Sequence, residues 1–227
     1  MEVPCENLLD FRSVVPIMAV IMSAHKMHKN TALDRSSLEQ TFQLLAARLD
    51  AEKADPVDLV VCGGSALILS GLIARTTRDV DVVALMRDGV LSSPDPLPAD
   101  LDRAVREVAE DLGLSPDWLN NRPSHGEGGL FQMGLPAGFA DRLRCTRYGD
   151  GLAVRAIGRT DQVHFKLYAA ADRGGYHITD LMALDPSSEE LVAAARWAMT
   201  HDVSEEFAAV LKKLLSELGH GNAADQL

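Results

Sequence analysis

Closely spaced cysteines are missing from this chain. Cys5, Cys62 and Cys145 are the whole complement, scattered and odd in number. Without a CxxC pair there is no signature of a zinc knuckle or a disulfide framework, and a reducing cytoplasm is the simpler setting. Histidine offers no substitute. The seven histidines are spread out, His25 and His28 form the only close pair, and a zinc site needs further ligands close by. A long apolar run is missing as well. Val14 to Ala24 is 11 residues interrupted by Pro16, whereas a membrane span needs about 20. Its upstream flank carries Glu2, Glu6 and Asp10 against Arg12, the wrong sign for a secretory signal. With Met18, Met22 and Met27 following, residues 1–26 also read as an appended leader. Positive charge is short: 22 Lys and Arg stand against 33 Asp and Glu, a net charge of −11. That argues against a broad, sequence-independent DNA-binding surface but leaves room for a local basic cleft. No internal repeat is present.

The 227 residues are 47% hydrophobic and 24% charged, as expected of a globular chain with one good core or two small ones. Ser36 to Glu52 predicts a helix, with Leu38, Phe42, Leu45 and Leu49 on one face and Ser36 with Glu39 as a capping box. Residues 88–100, with Pro94, Pro96 and Pro98, cannot be a helix or a central strand and read as an exposed connection. Asp100 opens a second helix, with Leu101, Val105, Val108 and Leu112 inward and Gly113 past its end. Ser115 to Asn120 reads as a short helical turn, and 121–138 as a long Gly/Pro-rich loop. Phe139 to Arg147 and Leu152 to Ile157 predict a hairpin turning at Tyr148-Gly149-Asp150-Gly151. Beyond Thr160 only helices are predicted: one to about Asp172, a short one around Thr179 to Leu184, one opened by Asp185-Pro186-Ser187-Ser188, and one opened by Ser204. Residues 221–227 read as a frayed end. The organisation is thus an N-terminal extension (1–35), a mixed α/β core (36–159) and a helical segment (160–227).

Within that core, Val60 to Leu85 carries the chemistry. A short apolar run ends at Gly63-Gly64, Ser65 opens a helix, and after Arg75-Thr76-Thr77-Arg78 comes Asp79-Val80-Asp81-Val82-Val83. Side chains alternate along a strand, so Asp79 and Asp81 share a face. Two carboxylates so placed can hold divalent cations, which in two-metal sites lie about 3.5–4 Å apart and clamp a phosphoryl group during in-line displacement. Glycines at a helix start let backbone amides approach a phosphate. Either half alone is weak, because glycines punctuate turns everywhere and an Asp-x-Asp is often solvated strand edge. In combination they are considerably stronger.

Strand, Gly-Gly-Ser, helix, then Arg-x-Thr-x-Asp-x-Asp resembles the nucleotidyltransferase superfamily with the DNA-polymerase-β-like fold, whose signature is G-[GS]-x(7–13)-D-x-[DE]. Here Ser65 lies 14 residues before Asp79, a spacing closer to the minimal prokaryotic branch that includes AbiEii-like toxins and related uncharacterised domains. Lys166-Leu167-x-Ala169-Ala170-x-Asp172-Arg173 with Thr179-Asp180-Leu181 resembles that branch's second motif, although Thr179 replaces its lysine and Ala183 its later acidic residue. Asp117-Trp118-Leu119-Asn120 is also similar to the uncharacterised relatives.

The resemblance covers roughly residues 36–185. It implies an α/β (α+β) nucleotidyltransferase fold, with a small mixed sheet flanked by helices and a C-terminal helical segment. It further implies a Mg²⁺-dependent transferase moving a nucleotidyl group from ATP or another nucleoside triphosphate to a hydroxyl or phosphate acceptor. Gly63, Gly64 and Ser65, joined by Thr77 and Arg78, would bind the nucleotide. Asp79 and Asp81 would hold the metals, Lys166 would contact phosphate, and Asp180 would sit near the reacting centre. A tRNA acceptor, a cognate antitoxin protein and a toxin-like or defence role belong to the same expectation; a membrane does not.

In the wider superfamily a third carboxylate stands on a neighbouring strand, and the interiors of 139–147 and 152–157 supply none. Either Asp180 takes that place, or the site is degenerate and the fold serves as a nucleotide-binding or protein-interaction module. Residues 141–173 carry Arg142, Arg144, Arg147, Arg155, Arg159, Lys166 and Arg173 against four aspartates. They suit a triphosphate or nucleic-acid acceptor, or equally a solvated hairpin face. Trp118 and Trp197, at helical positions, read as packing residues.

Overall fold

The computed structural model describes residues 32–227 together with the backbone of Glu6–Asn7; the apolar run 14–24 lies outside the described residues. Seven strands form one mixed sheet. They are β1 (Glu6–Asn7), β2 (Val57–Cys62), β3 (Val80–Arg87), β4 (Val90–Ser92), β5 (Leu119–Asn120), β6 (Arg144–Arg147) and β7 (Leu152–Ala156). Their order is β1-β6-β7-β2-β3-β4, with β5 also beside β3. β2 runs parallel to β7 and antiparallel to β3, while β5 pairs with the start of β3 in parallel. The runs Leu59–Cys62 and Val82–Leu85 are buried without a break, as befits central strands covered on both faces.

Helix α1 (Arg35–Glu52) lays fully buried Leu38, Phe42, Leu45 and Leu49 on the sheet. It begins earlier than its sequence suggests, because Asp34 takes the cap: its Oδ1 accepts the Ser37 amide and hydroxyl, each at 2.8 Å. Glu39 turns instead to Arg35 at 3.0 Å. Helix α2 (Gly63–Leu69) follows β2. Helix α3 (Ala99–Leu112) buries Leu101, Val105 and Val108 and ends at left-handed Gly113, as its pattern predicts, but starts from Pro98 with Asp100 inside its first turn. Trp118 is fully buried and donates its ring N–H to the Val105 carbonyl at 3.0 Å, a packing role.

Three predictions fail locally. Leu119–Asn120 is a strand, not a helical turn, because Val80 donates its amide to the Trp118 carbonyl at 2.6 Å and draws the segment onto β3. Phe139–Arg142 is a 3₁₀ turn that carries Arg142 to buried Asp161, leaving only Arg144–Arg147 extended. The prolines beyond β4 sit where expected, but Val90–Ser92 themselves pair with β3 as an edge strand.

Two apolar cores result. The first lies between the sheet and α1 and α3. The second joins α5 (Arg159–Arg173), which follows the four-residue α4 (Leu130–Met133), to α6 (Tyr176–Ala183), α7 (Ser188–His201), α8 (Glu205–Glu217) and α9 (Gly221–Ala224). α9 replaces the predicted frayed end, since Ala223 and Ala224 are buried in this core. Leu67 of α2 packs into the second core while its neighbours Ala66 and Ile68 pack into the first, so the helix after the glycine turn sits between the two. No helix among the described residues is long and apolar enough to cross a membrane.

Candidate functional site

The glycine turn and the aspartate strand meet because β2 and β3 are antiparallel neighbours. Their register sets Cys62 opposite Asp81, so the turn that leaves β2 passes close to that carboxylate. A Cβ on Gly63 would lie 2.7 Å from Asp81 Oδ2, and one on Gly64 would lie 2.8 Å from Thr77 Oγ1 and 2.9 Å from Arg75 Nη2. Gly63 also has φ +67°, a region where a side chain costs about 1–2 kcal/mol. Gly63→Ala is therefore expected to lower stability by at least that amount and to displace Asp81. Denaturant unfolding followed by cation-binding titrations would measure both.

Ser65 stands differently from its neighbours. It is fully buried, and its hydroxyl donates back to the Cys62 carbonyl at 3.1 Å, so Gly63 and Gly64 line the opening and Ser65 does not. Thr77 is fixed by a two-way backbone bridge to Leu33, at 2.6 and 2.9 Å. Its hydroxyl reaches the Asp79 carbonyl at 3.1 Å and the Asp79 carboxylate at 3.4 Å. Asp79 also has Arg122 at 3.8 Å.

Asp81 is flanked by Cys62 on β2 and by Asn120 on β5, its direct partner in the parallel ladder. Burial, and then the charge of Asp79, push its carboxyl up to about 6. Lys166, a hydrogen bond from Asn120 and Arg122 pull the other way. Burial together with the two aspartates holds the Cys62 thiol well above its usual range, so it stays protonated.

Lys166 comes from α5 and is buried, not snorkelling. Its Nζ donates to Asp180 Oδ2 at 2.7 Å, and Arg75 Nη2 donates to that same oxygen at 2.8 Å. Asp180 is therefore taken up by two cations. Among the described residues no group of three His, Cys, Asp or Glu side chains converges as a metal cage. The strand position beside Asp81 holds Asn120, an amide and not a carboxylate.

Gly63, Gly64, Thr77, Asp79, Asp81 and Lys166 line a cleft of about 850 Å³. Five cationic residues (Arg75, Arg78, Arg122, Lys166 and Arg173) face three acidic ones, Asp79, Asp81 and Asp172, a local positive balance in a chain of −11. A second cleft of about 730 Å³ lies beside Asp55, Asp58 and Asp88, and no glycine lines it. Three arginines of the predicted basic segment serve structure: Arg142 pairs with Asp161, Arg155 with Asp58 and Arg159 with Glu190.

Residues 37–182 match the model of a family described as "nucleotidyltransferase of unknown function (DUF6036)". The chain belongs to that family. The matched span takes in the glycine turn, both aspartates, Asn120, Lys166 and Asp180. Searches of the curated proteins and of the solved structures found no match. Asn120, Arg122, Tyr176 and His177 are strand or cleft residues that sequence reasoning did not single out. For Asn120 the signal lies in Asp117-Trp118-Leu119-Asn120, once its end is taken as a strand.

Proposed function

We propose that the chain transfers a nucleotidyl group from a nucleoside triphosphate to a hydroxyl acceptor in the cleft between the Gly63-Gly64 turn and Asp79–Asp81. The observation that carries this reading is the close approach of the turn to Asp81, so tight that any side chain at Gly63 would strike the carboxylate. The donor set fits Mg²⁺: its oxygens are hard, and the ion is usually held by one or two carboxylates plus substrate phosphates. The repulsion between Asp79 and Asp81 is what such an ion relieves. When bound, Mg²⁺ supplies the charge that neutralises the phosphates and the leaving group.

The chain's own residues do the rest. The Gly63 and Gly64 backbone admits the phosphates without steric obstruction. Lys166 and Arg75, held by Asp180, present positive charge to the triphosphate. Thr77 fixes Asp79, and Asn120 fixes Asp81. The acceptor oxygen attacks the α-phosphorus, a new P–O bond forms, the bond to the bridging oxygen of the β-phosphate breaks, and pyrophosphate leaves. The acceptor's proton is released to water in the cleft.

An RNA acceptor such as tRNA, and with it a toxin-like role, draws less support, because Arg142 and Arg155 of the hairpin and Arg159 just after it are already paired. A second reading, a nucleotide-binding module without catalysis, is favoured by one observation: Asn120 stands beside Asp81 where a carboxylate would complete the metal site. Incubation with Mg²⁺, α-labelled and γ-labelled triphosphates and total RNA separates the two. Transfer of the α-label alone, absent from Asp79→Ala, supports the enzyme. Triphosphate binding with no transfer to RNA, protein or small hydroxyl acceptors would leave the binding module.

A further inference from the structure

Helix α5 ends at Arg173, and Gly174 and Gly175 both adopt φ +62° before α6 begins. This turn delivers Tyr176 and His177 to the wall of the cleft that holds Asp81. Tyr176 is 64% exposed, so its ring packs no core. Two cations attend it instead: Lys166 Nζ lies 5.6 Å and Arg75 Cζ 6.0 Å from the ring centroid. These are the same two cations that Asp180 holds beside the glycine turn.

His177 is the opposite case. It is only 8% exposed and its ring lies 4.1 Å from that of Tyr176, yet its Nδ1 is buried without any hydrogen-bond partner. Leaving a buried polar atom unpaired is unfavourable, and here its residue lines an open cleft. Burial and the nearby Lys166 and Arg173 hold the imidazole down to about 4, so it is neutral at physiological pH and able to donate or accept a hydrogen bond.

We propose that Tyr176 and His177 form the nucleoside subsite: the exposed Tyr176 ring stacks on the base, and His177 Nδ1 hydrogen-bonds the nucleoside. This rests on the triphosphate reading above and adds to it the half of the ligand that the phosphate grip does not touch. Stacking on an aromatic ring is tolerant of base identity, since every base has a π-face, so the subsite accepts more than one nucleotide. Selectivity among them falls to the tautomer that His177 adopts on binding, since Nδ1 donates in one and accepts in the other.

Calorimetric titration of the full chain in Mg²⁺ with ATP, GTP, CTP, UTP and inorganic tripolyphosphate tests this. Tyr176→Ala is expected to weaken every nucleotide about tenfold or more and leave tripolyphosphate unchanged. Tyr176→Phe keeps wild-type nucleotide affinity. His177→Phe, which keeps a ring and removes the nitrogen, weakens the nucleotides unequally and spares tripolyphosphate. Nucleotide affinity untouched by Tyr176→Ala overturns the subsite and leaves the triphosphate reading standing. Equal loss of nucleotide and tripolyphosphate overturns it too, because the ring would then serve only to hold Lys166 and Arg75. A wild-type chain that binds neither class of ligand overturns both.

Discussion

Asp81→Asn is expected to lose nucleotidyl transfer by more than about a hundredfold, since even outer partners of metal ligands cost roughly 10–100-fold when removed. The same variant, free of divalent cations at pH 7, is expected to be more stable than the wild type. The sign follows from the raised carboxyl. In the unfolded chain Asp81 titrates near the ordinary value of about 3.9; in the fold it is pushed up to about 6. The native state therefore holds the proton more tightly. Its contribution to stability is full below about pH 4 and is lost as the pH rises through 6. At neutral pH the wild type carries an ionised, poorly solvated carboxylate beside Asp79, and an asparagine there carries none of that cost. The gap is on the order of 2 kcal/mol at pH 7 and closes as the pH falls to about 4. Urea unfolding at a series of pH values in chelator reads it directly. Added Mg²⁺ should stabilise the wild type by binding only the folded form and leave the variant unmoved. Transfer that survives Asp81→Asn would refute the assignment of the aspartate strand. A variant less stable than the wild type at pH 7 would refute the stated origin of the raised carboxyl.

What the sequence exposes and what it hides divide along a physical line. Gly63, Gly64, Asp79 and Asp81 are readable as residues of one cleft because local spacing places them: a glycine turn leaving one strand, and two carboxylates at the entry to the next. The central strands are readable from short apolar runs only with the turn signals that bound them, since such a run alone does not exclude a helix. Ser65 misleads because position in a motif does not say which way a hydroxyl points; the turn sends it to the Cys62 carbonyl. Asn120 is hidden because a two-residue strand has no periodicity, and only its register against Asp81 gives it meaning. Tyr176 and His177 reach the cleft through the Gly174-Gly175 turn, whose left-handed backbone sets the direction of α6. Asp180 is legible as part of a motif but its pairing is not, because its two partners, Arg75 and Lys166, lie far apart in the chain.

That role makes Asp180→Ala a severely damaging change for the fold. One carboxylate oxygen receives both Lys166 and Arg75, within 2.8 Å each. The Lys166 and Asp180 side chains are each only 5% exposed. Removing the carboxylate leaves two cations facing each other, one of them buried, and breaking a buried pair in this way costs about 3–5 kcal/mol. Against a total stability of about 5–15 kcal/mol, that is enough to leave a substantial unfolded population on mild heating. Lys166→Met is expected to cost less, because Asp180 keeps Arg75 as its partner. The double variant Lys166→Met with Asp180→Leu should recover most of the loss, since a buried ion pair replaced by packed apolar side chains of similar volume is often neutral or stabilising. Thermal unfolding of the three variants orders them. The double variant also separates fold from site: it is expected to be folded yet to bind inorganic tripolyphosphate more weakly than the wild type, because the cation that Asp180 held in the cleft is gone. Wild-type tripolyphosphate affinity in that folded double variant would show that Lys166 serves the core alone.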